Sequence, residues 1–235
     1  MRQHDEHDAK DAGRDDEGQL EIVLYRVPVH FTSREISEKY DRFARWYDLV
    51  EGIPDVLGVR KLRRRLLRQA SGNVLEVAVG TGKNLRYYPP GCRIIALDVS
   101  REMLNVARQR AAKLSMDVSF SLADAAALPF SDKSFDTVVS SVTTCTFSEP
   151  VSALREMARV CKTEGRVLLL EHGRSDREWL GRWQDRREDS FAKQLGCHWN
   201  REPLELVRKA GLKINNSRRV FFGVFHTIDA EPGAA

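Results

Sequence analysis

Val74-Leu75-Glu76-Val77-Ala78-Val79-Gly80-Thr81-Gly82-Lys83-Asn84 decides how the rest of the chain is read. Residues 74–79 are short, apolar and rich in β-branched side chains, the composition of a strand buried on both faces. The run breaks at Gly80-Thr81-Gly82 and passes into a helical pattern. Glycine suits such a turn because it tolerates positive φ and lets a ligand approach the backbone with no Cβ in the way. The next signal is Arg93-Ile94-Ile95-Ala96-Leu97-Asp98, a second apolar run that ends in a carboxylate. Glu76 and Asp98 stand 22 positions apart. That is close to the roughly 20 expected when an acidic residue at the tip of a second strand grips a ribose diol. Between them come the glycine turn, a helical stretch from about Lys83, and a Pro89-Pro90-Gly91 turn, so the segment is a βαβ nucleoside site.

A dinucleotide fingerprint would carry a third glycine and keep carboxylates away from the pyrophosphate. Here the order is Glu76-x-Ala78-x-Gly80-x-Gly82, with the acidic residue inside the strand. A carboxylate there repels pyrophosphate and suits an ammonium or a hydroxyl. The order resembles the glycine motif of class I S-adenosylmethionine (SAM) methyltransferases. That resemblance implies an α/β, doubly wound, mostly parallel seven-stranded sheet of Rossmann-like type with an N-terminal helical lid. It implies SAM as cofactor and S-adenosylhomocysteine as product. The family usually has Gly where Ala78 stands, which leaves a methyl group near the methionine end of the cofactor.

With 235 residues the chain is long enough for one α/β domain with a sizeable core. A net charge of +4 and 42% hydrophobic residues describe an ordinary globule. No apolar run approaches the ~20 residues of a membrane span. No signal-peptide pattern opens the chain. Cys92, Cys145, Cys161 and Cys197 have no Cys-x-x-Cys or zinc spacing, and read as reduced thiols of a cytoplasmic protein.

Composition together with the resemblance divides the chain into three segments. Residues 1–20 are dense in Asp, Glu, His and Arg and read as a disordered charged tail. Residues 21–70 read as an N-terminal arm and helical lid, and 71–230 as the SAM-binding domain. The lid helix begins at Ser33, with Ile36, Tyr40, Phe43, Ala44 and Tyr47 on one stripe. Tyr40-Asp41-Arg42-Phe43-Ala44-Arg45-Trp46-Tyr47-Asp48 resembles the Tyr-Asp-x-x-Ala-x-x-Tyr-Asp lid of the quinone and phospholipid methyltransferases. That resemblance implies that Tyr40 and Tyr47 cover the cofactor and that Trp46 faces the acceptor. Residues 59–70 read as a helix with Val59, Leu62, Leu66 and Leu67 toward the sheet and an Arg-rich opposite face. That face is either solvated or drawn to an anionic membrane surface. Without aromatic interleaving or a recognised binding fold, no nucleic-acid partner is expected.

Past Asp98 and Val99, Ser100 caps a helix carrying Met103, and residues 118–122 form a third strand. Asp124 and Ala125 follow; by motif, Asp124 accepts from the adenine amino group. Strand four, read at 137–142, brings Ser140 and Ser141 to the crevice that parallel strands open at their carboxyl ends. Residues 156–166 read as helix and turn before a fifth strand at 167–171. The last two strands are expected at 213–217 and 220–228 as a hairpin, with 231–235 loose.

Asn84-Leu85-Arg86-Tyr87-Tyr88-Pro89-Pro90-Gly91-Cys92-Arg93, Cys145, Glu171-His172 and Gly196-Cys197-His198-Trp199 together resemble methyltransferase-like family seven, the alkyl thiol methyltransferases. The resemblance implies a small-molecule acceptor, with S-methylation of a thiol or sulfide favoured. His172 and His198 are the candidates for promoting a thiolate, and Cys145 and Trp199 shape the acceptor pocket. N-methylation of phosphatidylethanolamine, C-methylation of a quinone and a non-enzymatic SAM-binding regulator stay open beside it. So does the choice of monomer or homodimer. The chain is expected to be cytoplasmic, with peripheral contact at an anionic membrane through the Arg-rich helix, and to hold no metal.

Overall fold

The computed structural model describes residues 30–50 and 58–233, leaving aside the side chains of Phe43 and residues 45–50. The charged tail, nearly all of the arm, and the side chains of Trp46 and Tyr47 lie outside the described residues.

Seven strands form one sheet: β1 (Asn73–Val77), β2 (Arg93–Asp98), β3 (Val118–Leu122), β4 (Phe135–Ser141), β5 (Cys161–His172), β6 (Leu212–Val220) and β7 (Phe225–Pro232). Their order is β3-β2-β1-β4-β5-β7-β6. The pairs from β3 through β5 are parallel, whereas β7 runs antiparallel to both β5 and β6. The expected doubly wound sheet is therefore present. The winding reverses between β1 and β4, and such a switch point opens a crevice at the carboxyl ends of the strands.

Alternation along the central strands feeds two cores. Leu75, Leu97, Val138, Val167 and Leu169 pack on one face with Leu154 and Met157 of α4 (Pro150–Val160) and Val207 of α6 (Pro203–Lys209). Val74, Ala96, Val139, Leu168 and Leu170 pack on the other with Leu66 and Leu67 of α2 (Arg60–Leu67) and Leu104 and Ala107 of α3 (Arg101–Lys113). A strand buried on both sides reads as a near-continuous apolar run, as residues 94–97 of β2 and 167–170 of β5 do, with β1 broken only by Glu76.

Several boundaries differ from the sequence reading. The helical stretch expected from about Lys83 is a single 3-10 turn, Leu85–Tyr87, and β4 runs from Phe135 to Ser141 rather than over 137–142. Residues 161–166 belong to β5, because Cys161 already pairs with Phe135 and a register shift separates that pair from Thr137–Arg166. Their Lys-Thr-Glu composition gave no strand signal on its own. The hairpin is longer than expected, with its turn at 221–224, and Glu231 and Pro232 continue β7 rather than hanging loose.

The lid helix α1 (Ser33–Val50) is fixed at one end by polar contacts to the β2–α3 loop. Asp41 Oδ1 accepts from Ser100 Oγ at 2.5 Å and from Glu102 N at 3.1 Å, while Ser37 Oγ donates to Val99 O at 2.9 Å. Ser100 Oγ in turn accepts from Met103 N, as the expected N-cap of α3. A second helix thus helps cap the first. Replacing Asp41 with Ala should cost about 1 kcal/mol, the scale of a lost cap. It should also speed hydrogen exchange across residues 33–44, measured against unchanged exchange in β1 and β4.

Candidate functional site

The crevice at the switch point is a cleft of about 950 Å³ including its open mouth. It is lined from five directions: the end of β1 and the loop after it (Glu76, Ala78, Gly80, Asn84), the tip of β2 (Asp98, Val99, Met103), the segment after β3 (Asp124, Ala125), the end of β4 and the loop after it (Ser141 to Thr143 and Thr146 to Glu149), and Tyr40 and Ile36 of α1. Eleven of the sequence-derived cofactor residues converge here. Gly82 and Ser140 are not in the lining. A Cβ at Gly82 would come 2.9 Å from Leu85 Cδ1 and 3.3 Å from Ala107 Cα, so this glycine serves helix packing behind the loop. Ser140 is fully buried and hydrogen-bonds Thr143 Oγ1.

Backbone geometry explains the glycine turn. Gly80 has φ +56° and a Cβ there would meet nothing within 4 Å, so the open space beside it belongs to the cleft. Ala78 has φ +54°, the left-handed region that costs a non-glycine residue roughly 1–2 kcal/mol. That is the physical reason why Gly is usual at this place. Val142 also lies in the left-handed region, at φ +59°, which is exceptional for a β-branched residue. Its N–H donates to Leu170 O at 2.6 Å. The next two residues are clamped by Glu171, whose Oε2 accepts from Thr143 N at 3.0 Å, Thr144 N at 3.1 Å and Thr144 Oγ1 at 2.9 Å.

Two carboxylates set the electrostatics. Asp98 Oδ2 accepts from Gly80 N at 2.8 Å and Oδ1 from Ser100 N at 2.9 Å, which joins the tips of β1 and β2. Burial raises its pKa to about 6. Glu76 accepts from Asn84 Nδ2 at 2.8 Å and Tyr88 Oη at 2.9 Å, and burial raises it to about 7. Arg63 completes this network, donating to Asn84 Oδ1 at 2.6 Å. The sequence reading missed Arg63 as a site residue. Within an Arg-rich helix nothing distinguished it except its place one residue after Leu62 on the apolar stripe, and it is 4% exposed. Lys83 and Thr81 also line the cleft, as do Thr146 and Phe147.

The four acceptor-side candidates with described side chains fall elsewhere. His172, Cys145, His198 and Trp199 are absent from the cleft lining. His198 Nδ1 is paired with Glu188 Oε1 at 2.6 Å, and Trp199 stacks on Phe191 with ring centroids 3.8 Å apart. His172 and Cys145 meet each other instead, together with Cys197.

The cleft fits an adenosyl sulfonium in its donor set. Asp98 would hold the ribose hydroxyls and Asp124 the adenine amino group. The Glu76 network would face the ammonium end, with Gly80 leaving room for close approach. Residues 75–169 match the model of the methyltransferase domain family. Over 197 residues the chain is 30% identical to the ubiquinone/menaquinone biosynthesis C-methyltransferase UbiE of Pseudomonas savastanoi, covering 78% of this chain and 76% of that one. The chain belongs to the class I SAM-dependent methyltransferases. It is also 27% identical over 220 residues to the mitochondrial methyltransferase OMS1 of Saccharomyces cerevisiae, covering 85% of this chain but only 46% of that protein. With the phosphatidylethanolamine N-methyltransferase of Cereibacter sphaeroides it shares 38% identity over 129 residues, 54% of this chain and 63% of the relative. A SAM-dependent methyltransferase from Aquifex aeolicus shares the fold, with a TM-score of 0.57 at 20% identity, covering 85% of this chain and 98% of that one.

The raised carboxylates give the site a pH signature. Between the ordinary carboxylate range and about 7 the folded apoprotein holds more protons on Glu76 and Asp98 than the unfolded chain does. These groups therefore favour folding at low pH and withdraw that support as pH rises through their folded values. Cofactor binding needs the charged forms and should run the other way. Affinity for SAM should rise about tenfold or more from pH 5.5 to 8, with Glu76→Gln flattening the upper part of the curve in calorimetric titrations. Relieving the strain at Ala78 is a separate test. Ala78→Gly should raise stability by up to about 1 kcal/mol in urea unfolding while SAM binding persists.

Proposed function

We propose that this chain transfers the methyl group of SAM to a small, largely apolar acceptor seated between the lid helix and the loop after β4. The observation that carries this reading is the continuity of the cleft. The part lined by Asp98, Asp124 and Glu76 runs directly into one lined by Ile36, Val142, Thr146 and Phe147. When bound, SAM supplies a methyl carbon already activated on a sulfonium. The protein's part is then to hold the acceptor near 3–3.5 Å in line and to keep water out, which can supply about 7–11 kcal/mol of the barrier. The lid contacts through Asp41 and Ser37 serve exclusion; the clamp by Glu171 fixes the loop that the acceptor would touch.

Two acceptor classes have specific support. A quinol carbon is favoured by the likeness to UbiE, of which this chain covers 76%. A thiol is favoured by the family-seven motifs and by acid strength. The described lining offers carboxylates but no imidazole. A thiol of pKa about 8.5 ionises far more readily without a dedicated base than a phenol near 10 or an ammonium near 10.4. Phosphatidylethanolamine, the substrate named for the Cereibacter relative, would need that ammonium deprotonated. A panel measuring S-adenosylhomocysteine release with a demethylated quinol, alkyl thiols, sulfide and phosphatidylethanolamine vesicles separates these readings. Turnover with none of them, despite SAM binding, would overturn the proposal in favour of a SAM-binding regulator. With the active acceptor, Phe147→Ala should raise KM about tenfold while SAM affinity changes less than about twofold.

Peripheral attachment to an anionic membrane is part of the same reading. No described helix is long and apolar enough to cross a membrane. Lys61, Arg64 and Arg65 of α2 and Arg68 at its end are exposed, and just before that helix a Cβ on Gly58 would touch Phe221 at 2.9 Å, in the turn whose Phe221 and Phe222 are 43% and 64% exposed. Cosedimentation with vesicles rich in anionic lipid should weaken several-fold in Arg64→Glu/Arg65→Glu, each Arg near such a surface being worth about 1 kcal/mol.

A further inference from the structure

Cys145, His172 and Cys197 come from three separate elements: the loop after β4, the last residue of β5, and the second residue past the end of α5 (Glu178–Leu195). Their two Sγ atoms and a ring nitrogen lie within 4.8 Å of one another, with His172 Nε2 3.4 Å from Cys197 Sγ. We infer that these three side chains form a binding site for a thiophilic divalent cation, Zn²⁺, that holds the C-terminal segment against the floor of the acceptor side.

The geometry suits that ion. A tetrahedral zinc with Zn–S about 2.3 Å and Zn–N about 2.0–2.1 Å separates its ligand atoms by about 3.5–3.8 Å. The His172–Cys197 spacing is within about 0.2 Å of that range, and the remaining spacings need a contraction of no more than about 1.3 Å, within reach of side-chain rotation. The backbone around the cluster is held. His198 N donates to Cys145 O at 2.8 Å, tying the two cysteine-bearing loops together. Gly196, at φ +67°, ends α5 directly before Cys197. Arg201 donates to Thr144 O at 2.5 Å and Phe147 O at 2.9 Å and interacts electrostatically with both sulfurs. A guanidinium there opposes a bare dication, but two thiolates with Zn²⁺ and a neutral imidazole sum to zero charge, and Arg201 favours the thiolates. Two sulfurs and one imidazole select zinc over the hard cations magnesium and calcium. Three protein ligands leave a fourth position for water or an added sulfur ligand. No zinc pattern stands in the sequence because the ligands are 27 and 25 positions apart and only the fold brings them together.

Cobalt(II) titration of the reduced full-length protein tests the site, since tetrahedral cobalt–thiolate sites give a near-ultraviolet charge-transfer band that Zn²⁺ abolishes on displacement. One equivalent should bind with that band. Cys197→Ser and His172→Asn, at half-buried positions, should each weaken binding by more than about tenfold, while Cys92→Ser leaves it unchanged. Cys145→Ser is a weaker test because Cys145 is 1% exposed and its loss threatens folding. No thiolate band in the reduced protein, or a band undiminished in Cys197→Ser, would overturn the inference. So would a Cys145–Cys197 disulfide in place of metal in protein purified with zinc, which would make the pair a redox couple. Failure here leaves SAM binding and methyl transfer untouched, and those are read separately by calorimetry and product release.

Discussion

Three carboxylates buried at the carboxyl ends of parallel strands hold the loops of this protein in place. Glu76 on β1, Asp98 on β2 and Glu171 on β5 are 2%, 7% and 0% exposed. A carboxylate taken out of water must find donors within the protein. Asp98 and Glu171 find them in backbone N–H groups of the loops beside the cleft, and Glu76 finds them in Asn84 and Tyr88. Each acid therefore dictates a loop conformation. Asp98 fastens the glycine turn to its neighbour strand, and Glu171 secures a segment whose first residue, Val142, carries an unfavourable φ. The sheet supplies rigidity, but these pairings decide where the cleft walls stand.

The cofactor half was legible in the sequence because its determinants are local. Glu76, Gly80 and Asp98 sit at strand tips marked by apolar runs, and the interval between them follows from one strand–turn–strand passage. Ser141 ends β4 and Asp124 lies just past the end of β3. The two-sided burial of β1, β2 and the second half of β5 was readable for the same reason: a strand covered by helices on both faces cannot alternate.

What the sequence hid depends on partners far along the chain. Arg63 looks like any other residue of a basic helix until Asn84, 21 positions later, is folded against it. Residues 161–166 carry no strand signal and extend because Phe135 pairs with Cys161 and Thr137 with Arg166. Glu171 looked like the polar end of a strand, yet its donors, Thr143 and Thr144, lie on the preceding crossover. His172 and His198 drew notice as titratable groups near the end of the sheet. Chemistry-bearing residue types alone could not reveal that one faces two cysteines and the other a glutamate.

The position of β7 has its own consequence for biosynthesis. Lying between β5 and β6, it is the partner of both. As the nascent chain leaves the ribosome, five parallel strands can assemble while the long apolar rim of β5 stays uncovered, and it closes only once residue 232 is available. An unprotected edge of Val-Leu-Leu-Leu is a template for pairing with other chains. This architecture therefore concentrates its vulnerability to misassembly in the interval before the final strand arrives.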